Sequence, residues 1–326
     1  TERPARADPP SPGPAVAPVA SGRTLRAHFY DVGQGLAVLV DLPDDHHVLV
    51  DTGDSATRSG CGDVCATSER HLLERLRADL AGAAIDVLWV THQHSDHIGA
   101  AADVIDALPV KLYVDNGRDP RKPEVARAHR AAEARGVAVR VVDPEHPDWP
   151  GPALSGAAVR PVVPERWPQG CARDENECSI ALRFDFAASS VLLTGDAEHA
   201  EESALEGLSP VTLLQVAHHG SATSTSPAFL SKTRPRYAVI SAGKPGEGLN
   251  AGYCLPRALV VERLTRVLGG AGLSTLQSFD GDRCDTSVPS DWRPVPTSDR
   301  LWATERDGDV VLTTQGDGRF ERSLAP

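Results

Sequence analysis

T-H-Q-H-S-D-H-I-G, Thr91 to Gly99, places four side chains able to ligate a metal in six consecutive positions: His92, His94, Asp96 and His97. The apolar run Ile85 to Val90 before it reads as a buried strand, and the Ala, Val, Ile and Leu spacing of Ile98 to Leu108 after it reads as a helix. The ligands therefore fall on a strand-to-helix loop. There His92 and His94 can aim imidazole nitrogens at one ion while Asp96 and His97 turn toward a second, the arrangement of a two-metal site. A solvated loop with histidines that cap a helix would need no such density of donors.

Outward from this loop, the flanking segments alternate strand and helix. Leu25–Val32, Leu36–Leu42 and His46–Val50 are short β-rich runs separated by turn residues. Asp51 ends the third of them in L-V-D-T-G, where a carboxylate can accept a hydrogen bond from a metal-bound imidazole and fix its tautomer. Glu69–Leu80 has helical spacing, as has Pro123–Arg135, which is stopped by Gly136. Val110–Val114 and Val137–Val142 read as strands, and the Pro-rich stretch Asp143–Gly156 as a connecting loop.

Further along, Asp174–Phe184 and Val191–Asp196 read as strands with a polar end. Asp196, directly after an apolar run and a glycine, is placed to bridge two ions through its two oxygens. Val211–Ala217 reads as a strand that leads into H-H-G-S. On an extended segment His218 and His219 would point to opposite sides, so one of the two ligates directly; alternation alone leaves open which. Tyr237–Ser241 reads as a strand, Pro227–Lys232 and Pro256–Leu268 as helices, and Leu301–Gly318 as a closing hairpin around Asp307-Gly308.

Composition sets the outer limits. The 326 residues are 40% apolar, enough for a sizeable core, and the formal charge of −12 argues against a broad nucleic-acid-binding face. No apolar run approaches the ~20 residues of a membrane span. Residues 1–22 contain six prolines among Ala, Gly and Ser, so 1–23 is expected to be a disordered tether and 24–326 one hydrolase domain. Thr1 without any Met in the chain reads as a processing or expression boundary. The six cysteines fall into three local pairs, Cys61 with Cys65, Cys171 with Cys178 and Cys254 with Cys284. Read as disulfides, they imply a secreted or extracytoplasmic protein.

Taken together, D-V-G-Q-G (Asp31–Gly35), L-V-D-T-G, T-H-Q-H-S-D-H-I-G, N-E-C-S-I-A-L, L-L-T-G-D, H-H-G-S and T-E-R-D-G-D-V-V-L resemble, in this order, the metallo-β-lactamase superfamily, in particular the metallo-hydrolase domain of ComEC-type DNA-uptake proteins and related exported phosphodiesterases. The similarity runs from about Leu25 to Gly318, with an insertion near Gln277–Arg300. It implies an α/β fold, the four-layer αββα sandwich. His92, His94 and His219 would hold one zinc or manganese ion, Asp96 and His97 the second, and Asp196 both. Asp96 and His218 would be catalytic, His218 as a phosphate contact or proton donor.

The expected activity is hydrolysis by a metal-activated hydroxide. The substrate would be a phosphodiester (nucleic acid, a cell-wall polymer or a small diester), with lactone, β-lactam or carboxylic ester as the alternative bond and a non-catalytic metal-binding module as the alternative class. No partner protein is expected. Relatives carry a metal-binding His where this chain has Leu255, so the second ion is expected to bind weakly. Leu36 and Ala222 likewise replace a family acid and base.

Overall fold

The computed structural model describes residues 23–119, 121–285 and 287–323. All of the Pro-rich stretch except Arg23 lies outside them. The chain first forms β1 (Leu25–Phe29), β2 (Val38–Asp41), β3 (His47–Val50), α1 (Asp63–Leu80), β4 (Val87–Trp89), α2 (Ser95–Ile98), α3 (Ala101–Ala107), β5 (Leu112–Asp115), α4 (Pro123–Arg135) and β6 (Ala138–Val141). Next come β7 (Ala158–Val162), β8 (Ala181–Phe186), β9 (Ser189–Leu193), α5 (His199–Ala204), β10 (Leu213–Gln215), α6 (Pro227–Thr233), β11 (Tyr237–Ile240), α7 (Asn250–Tyr253) and α8 (Ala258–Leu268). The chain continues through β12 (Gly272–Phe279), β13 (Trp292–Ser298), β14 (Leu301–Ala303), α9 (Thr304–Asp307), β15 (Val310–Thr314) and β16 (Glu321–Ser323).

Strands β16-β15-β1-β2-β3-β4-β5-β6 make one sheet and β14-β11-β10-β9-β8-β7 another. Side-chain alternation assigns each strand residue to a layer. In the first sheet Val38, Val40, Val48, Val50, Val87 and Trp89 enter a core shared with Phe184, Val191, Leu193, Leu213 and Val239 of the second sheet. Their neighbours Leu39, Leu49 and Leu88 face the other way, against Leu72 and Leu76 of α1 and Ala128 of α4. In the second sheet Leu192, Leu214 and Ile240 pack outward on Val261 and Leu264 of α8. Three cores thus separate four layers, giving the αββα sandwich. Burying both faces of each sheet explains why its central strands read as continuous apolar runs.

Three local readings are corrected. Leu301–Gly318 is not a hairpin: β14 pairs with β11 and β15 with β1, so the segment crosses from one sheet to the other. Its turn residues instead build α9, closed where Asp307 Oδ2 accepts the Ala303 N–H at 2.9 Å. The first half of Asp174–Phe184 is a 3₁₀ turn, Glu175–Cys178, started by the Asp174 carboxylate accepting the Asn176 N–H. The extended His218-His219 pair is replaced by a tight turn with φ of 50° and 53°. β13, inside the insertion, pairs with β12, which leads into it, as an antiparallel ribbon. All three cysteine pairs are disulfides.

One buried cluster outside the metal loop makes stability pH-dependent. His28 Nε2 lies 2.9 Å from Asp41 Oδ2, and its Nδ1 lies 3.6 Å from Asp79 Oδ2. Burial opposes its protonation, but the two carboxylates outweigh burial and raise its pKa to about 9. Asp41 is held down to about 2 by the same histidine and His47 against its own burial, so the two shifts are largely one interaction counted from either end. A folded-state pKa above the unfolded value of ~6.5 gives stability that is complete below that pH and lost as pH rises through 9. Unfolding free energy is therefore expected to fall by at most about 3 kcal/mol between pH 6 and 10. Urea titrations of the native protein and His28→Gln across this range check it; equal slopes in both would refute the assignment.

Candidate metal centre

Every residue of the centre sits just beyond the C-terminal end of a strand: Asp51 after β3, Thr91–His97 after β4, Asp196 after β9, and His218 and His219 after β10. Strand ends from both sheets meet here, at the edge of the sandwich. Gly195 makes the approach feasible: its φ is +56°, and a Cβ there would lie 2.6 Å from Thr91 Oγ1. Any larger residue would push the Asp196 loop away from the histidine loop.

Asp51 organises the histidine loop. Its Oδ1 accepts the Thr91 N–H at 2.7 Å, and its Oδ2 accepts the Thr91 hydroxyl at 2.8 Å and His97 Nδ1–H at 2.7 Å. Because the carboxylate only accepts, His97 carries its proton on Nδ1 and presents Nε2 to the centre. His219 is set the same way by Nδ1–H to the Ser241 carbonyl at 2.8 Å. His92 Nδ1 lies 3.1 Å from Thr91 Oγ1, whose own proton is directed to Asp51. Three imidazoles are thus oriented through Nδ1. Their Nε2 atoms, together with Asp196 Oδ1, are buried without a hydrogen-bond partner among the described residues.

The four side chains Asp96, His97, Asp196 and His219 each offer a ligand atom within 4.8 Å of the others. His97 Nε2 is 3.1 Å from Asp196 Oδ1, and His219 Nε2 is 3.4 Å from both Asp96 Oδ2 and Asp196 Oδ2. His92 and His94 are outside this set but adjoin it, with ring centroids 4.2 Å apart for His92–His97 and 4.9 Å for His92–His94. His94 is the half-exposed member, its Nε2 3.7 Å from Glu175. His218 lies at the rim, Nδ1 3.0 Å from Glu198 Oε1 and Nε2 3.8 Å from Asp196.

Electrostatics follow from this crowding. Burial works against charge on every group. For His97 the opposing carboxylates of Asp196 and Asp51 win and hold its pKa well above normal, and for His219 those of Asp196 and Asp96 raise it to about 10. Asp96 and Asp196 are held below the usual carboxylate range against burial by the same imidazoles. Burial with His97 alongside keeps His92 neutral, the form in which imidazole ligates. Without a metal, protons on His97 and His219 offset the buried carboxylates; a divalent cation in place of those protons would satisfy the same carboxylates and the freed Nε2 lone pairs together. The donor set fits a metal.

A cavity of about 460 Å³ opens onto the centre. Besides the candidate ligands and His218, its lining includes Gln34, Arg58, Lys122, Asn176, Tyr253 and Leu255. Arg58, Lys122 and Tyr253 carry no local motif, Asn176 opens the N-E-C-S-I-A-L stretch without standing out in it as a site residue, and the one local signal for Glu198 is its position two residues after Asp196.

This architecture and its metal-binding cluster define a metallo-hydrolase sandwich. The profile of the metallo-β-lactamase superfamily matches residues 30–244, and the chain belongs to that superfamily. More particularly, it is similar to Recombination protein 2 of Haemophilus influenzae (32% identity over 247 residues, 74% of this chain and 27% of that protein). It is likewise similar to ComE operon protein 3 of Bacillus subtilis (29% over 249 residues, 72% and 30%). The ComEC-type resemblance is thereby borne out, although the chain spans under a third of either relative's length. Among solved structures, human tRNase Z, short form, aligns at a TM-score of 0.41 and 14% identity, over 66% of this chain and 91% of that one.

Asp51 provides a test of the orienting network. Asp51→Asn keeps the shape but turns an N–H₂ toward Thr91 or His97, so metal affinity is expected to fall by ~10–100-fold without unfolding. Chelator-competition titration measures this, and an unchanged affinity would show that His97 is oriented by packing alone.

Proposed function

We propose that this chain hydrolyses phosphodiesters with two divalent ions, one on His92, His94 and His219, the other on Asp96 and His97, with Asp196 shared. Imidazole and carboxylate donors suit zinc, and manganese is the next candidate. Bound there, such ions would acidify a water and polarise a phosphoryl oxygen. The observation that carries the diester reading is one cation in a cavity wall that also holds Asp96, Asp174 and Asp196. Arg58 and Lys122 both line it, and Arg58 forms no ion pair among the described residues, whereas Lys122 is held by Glu175 at 2.7 Å. A diester carries the negative charge that Arg58 can neutralise; a lactone does not.

Around that anion, Asn176 lines the wall as a hydrogen-bond donor to a non-bridging oxygen. Asp96 orients the attacking water. His218, raised in pKa by Asp196 and Glu198 against its burial, donates a proton to the departing alkoxide. Nucleic acid, a cell-wall polymer and a small diester all present this bond, and the charge of −12 weighs against long duplexes. The three disulfides support residence outside the reducing cytosol. Among the described residues no helix is long and apolar enough to cross a membrane.

The test is metal analysis of protein purified without chelator, followed by 4-nitrophenyl diesters, lactones and cephalosporins. Turnover confined to diesters supports the reading; turnover of the carbonyl substrates alone would overturn it.

Leu255 adds a quantitative prediction. It is 6% exposed and lines the cavity beside Tyr253, offering no donor to the second ion. That ion is expected to bind more weakly than the first, and Leu255→His to tighten it. Zinc titration with two equally tight sites in the native protein would contradict this.

A further inference from the structure

A second cavity, of about 410 Å³, lies behind the D-V-G-Q-G turn, and its walls combine polar and charged side chains with Val64 and the backbone of Gly33 and Gly243. Gln34 alone lines both this cavity and the one over the metal centre. Its side chain is 5% exposed. The Gln34 Oε1 atom accepts the Gly243 N–H at 3.1 Å, which fixes the orientation of the amide because a backbone N–H can only donate. The other end is thereby committed: Nε2 is buried with no hydrogen-bond partner among the described residues. A buried amide donor left unpaired in the wall that two cavities share calls for an acceptor supplied by a ligand.

The charge of the second cavity restricts what that ligand carries. Asp31, Asp63 and Glu247 line it against Lys244 and His71, and His71 is itself bound to Asp309 at 2.9 Å. Another phosphate would be repelled. Hydroxyl-bearing Thr67 and Ser68 and the carboxylate of Asp31 instead suit a neutral group with hydroxyls to donate and accept, and Val64 with the side-chain-free Gly33 and Gly243 leaves a surface on which a polar ring can lie.

We propose that this cavity holds the uncharged, hydroxyl-bearing ring substituent on one side of the scissile diester, while Gln34 Nε2 donates to an oxygen of the ester link at the neck between the cavities. The inference rests on the diester reading of the centre. It makes Gln34 a specificity determinant, and it favours diesters with a nucleoside or sugar beside the reacting phosphorus over simple alkyl diesters.

Calorimetry on the metal-loaded protein tests it, with methyl phosphate, thymidine 5′-phosphate, glucose 1-phosphate and free thymidine as probes. At least one of the two ring-bearing phosphates is expected to bind about tenfold or more tighter than methyl phosphate, and which one does so separates nucleoside from sugar. In Thr67→Trp, which fills the cavity from an exposed position on α1, that advantage should shrink to about twofold. Gln34→Leu should reduce it as well, without requiring the cavity to be filled. Equal binding of all three phosphates by the native protein, or an advantage that survives both substitutions, would overturn the proposal. Failure of every phosphate to bind, with free thymidine still bound and lost in Thr67→Trp, would retain the ring pocket and reject the diester reading. No binding of any probe would reject both.

Discussion

Asp196→Ala is expected to abolish hydrolysis, by at least ~10²-fold, and to strip most of the metal from the purified protein. Asp196 is the hub of the centre, 3.1 Å from His97, 3.4 Å from His219 and 3.8 Å from His218. Removing it takes a carboxylate that faces all three imidazoles and leaves His97 and His219 side by side with reduced compensation. The fold should tolerate the change, because the close approach of the two loops is made by Gly195 against Thr91 rather than by the Asp196 side chain. Metal content by mass spectrometry and the circular dichroism of the same sample separate loss of ligand from loss of fold. Full metal content with native activity would remove Asp196 from the centre. His92→Ala should act in the same direction, through loss of a terminal donor rather than a shared one.

The ease of reading this site differed from residue to residue, for physical reasons. Thr91–Gly99 is legible because its donors are contiguous and one strand-to-helix loop delivers them together. Asp51 and Asp196 are legible because each follows an apolar strand, where a carboxylate has little to do unless it meets something at the strand's end. Arg58, Lys122, Asn176 and Tyr253 come from four segments far apart in the chain and are residue types common on any surface, so only folding brings them to one cavity. Alternation along a strand does not separate His218 from His219, since left-handed backbone at both residues replaces the assumed extended geometry. Here a buried His219 held by Ser241 and a rim-facing His218 held by Glu198 make the distinction.

At the fold level, period-two alternation was informative even where strand ends shifted, because each sheet is buried on both faces and each residue must belong to one core or another. The misread segment, Leu301–Gly318, shows the limit of local turn signals. D-G between two apolar runs reports a change of direction and says nothing about whether the runs pair with each other. In this chain β14 and β15 each find a parent strand in a different sheet, β11 and β1, and the polar turn becomes a one-turn helix between layers.

Removing the Cys254–Cys284 bridge by Cys254→Ser with Cys284→Ser is expected to cost about 3–4 kcal/mol, the largest stability effect of the three bridges. The bond closes a chain segment with a sequence separation of 30, against 4 for Cys61–Cys65 and 7 for Cys171–Cys178. Loop-closure entropy grows with the logarithm of that length, which gives about 2 kcal/mol for each short bridge. For a domain of this size the loss corresponds to roughly 5 °C in Tm. The segment includes α8 and β12, and its first cysteine stands between Tyr253 and Leu255 at the cavity wall. Metal affinity should nevertheless change little, because Asn250 holds that wall independently: its side chain accepts the Leu255 N–H at 2.8 Å and donates to the Leu255 carbonyl at 2.7 Å. Urea unfolding of the native and doubly substituted proteins measures the first effect, and zinc titration the second. A stability loss below about 1 kcal/mol would mean that the unfolded chain is already restrained across this segment. A concurrent collapse of zinc affinity would mean that the bridge, rather than Asn250, positions the wall of the site.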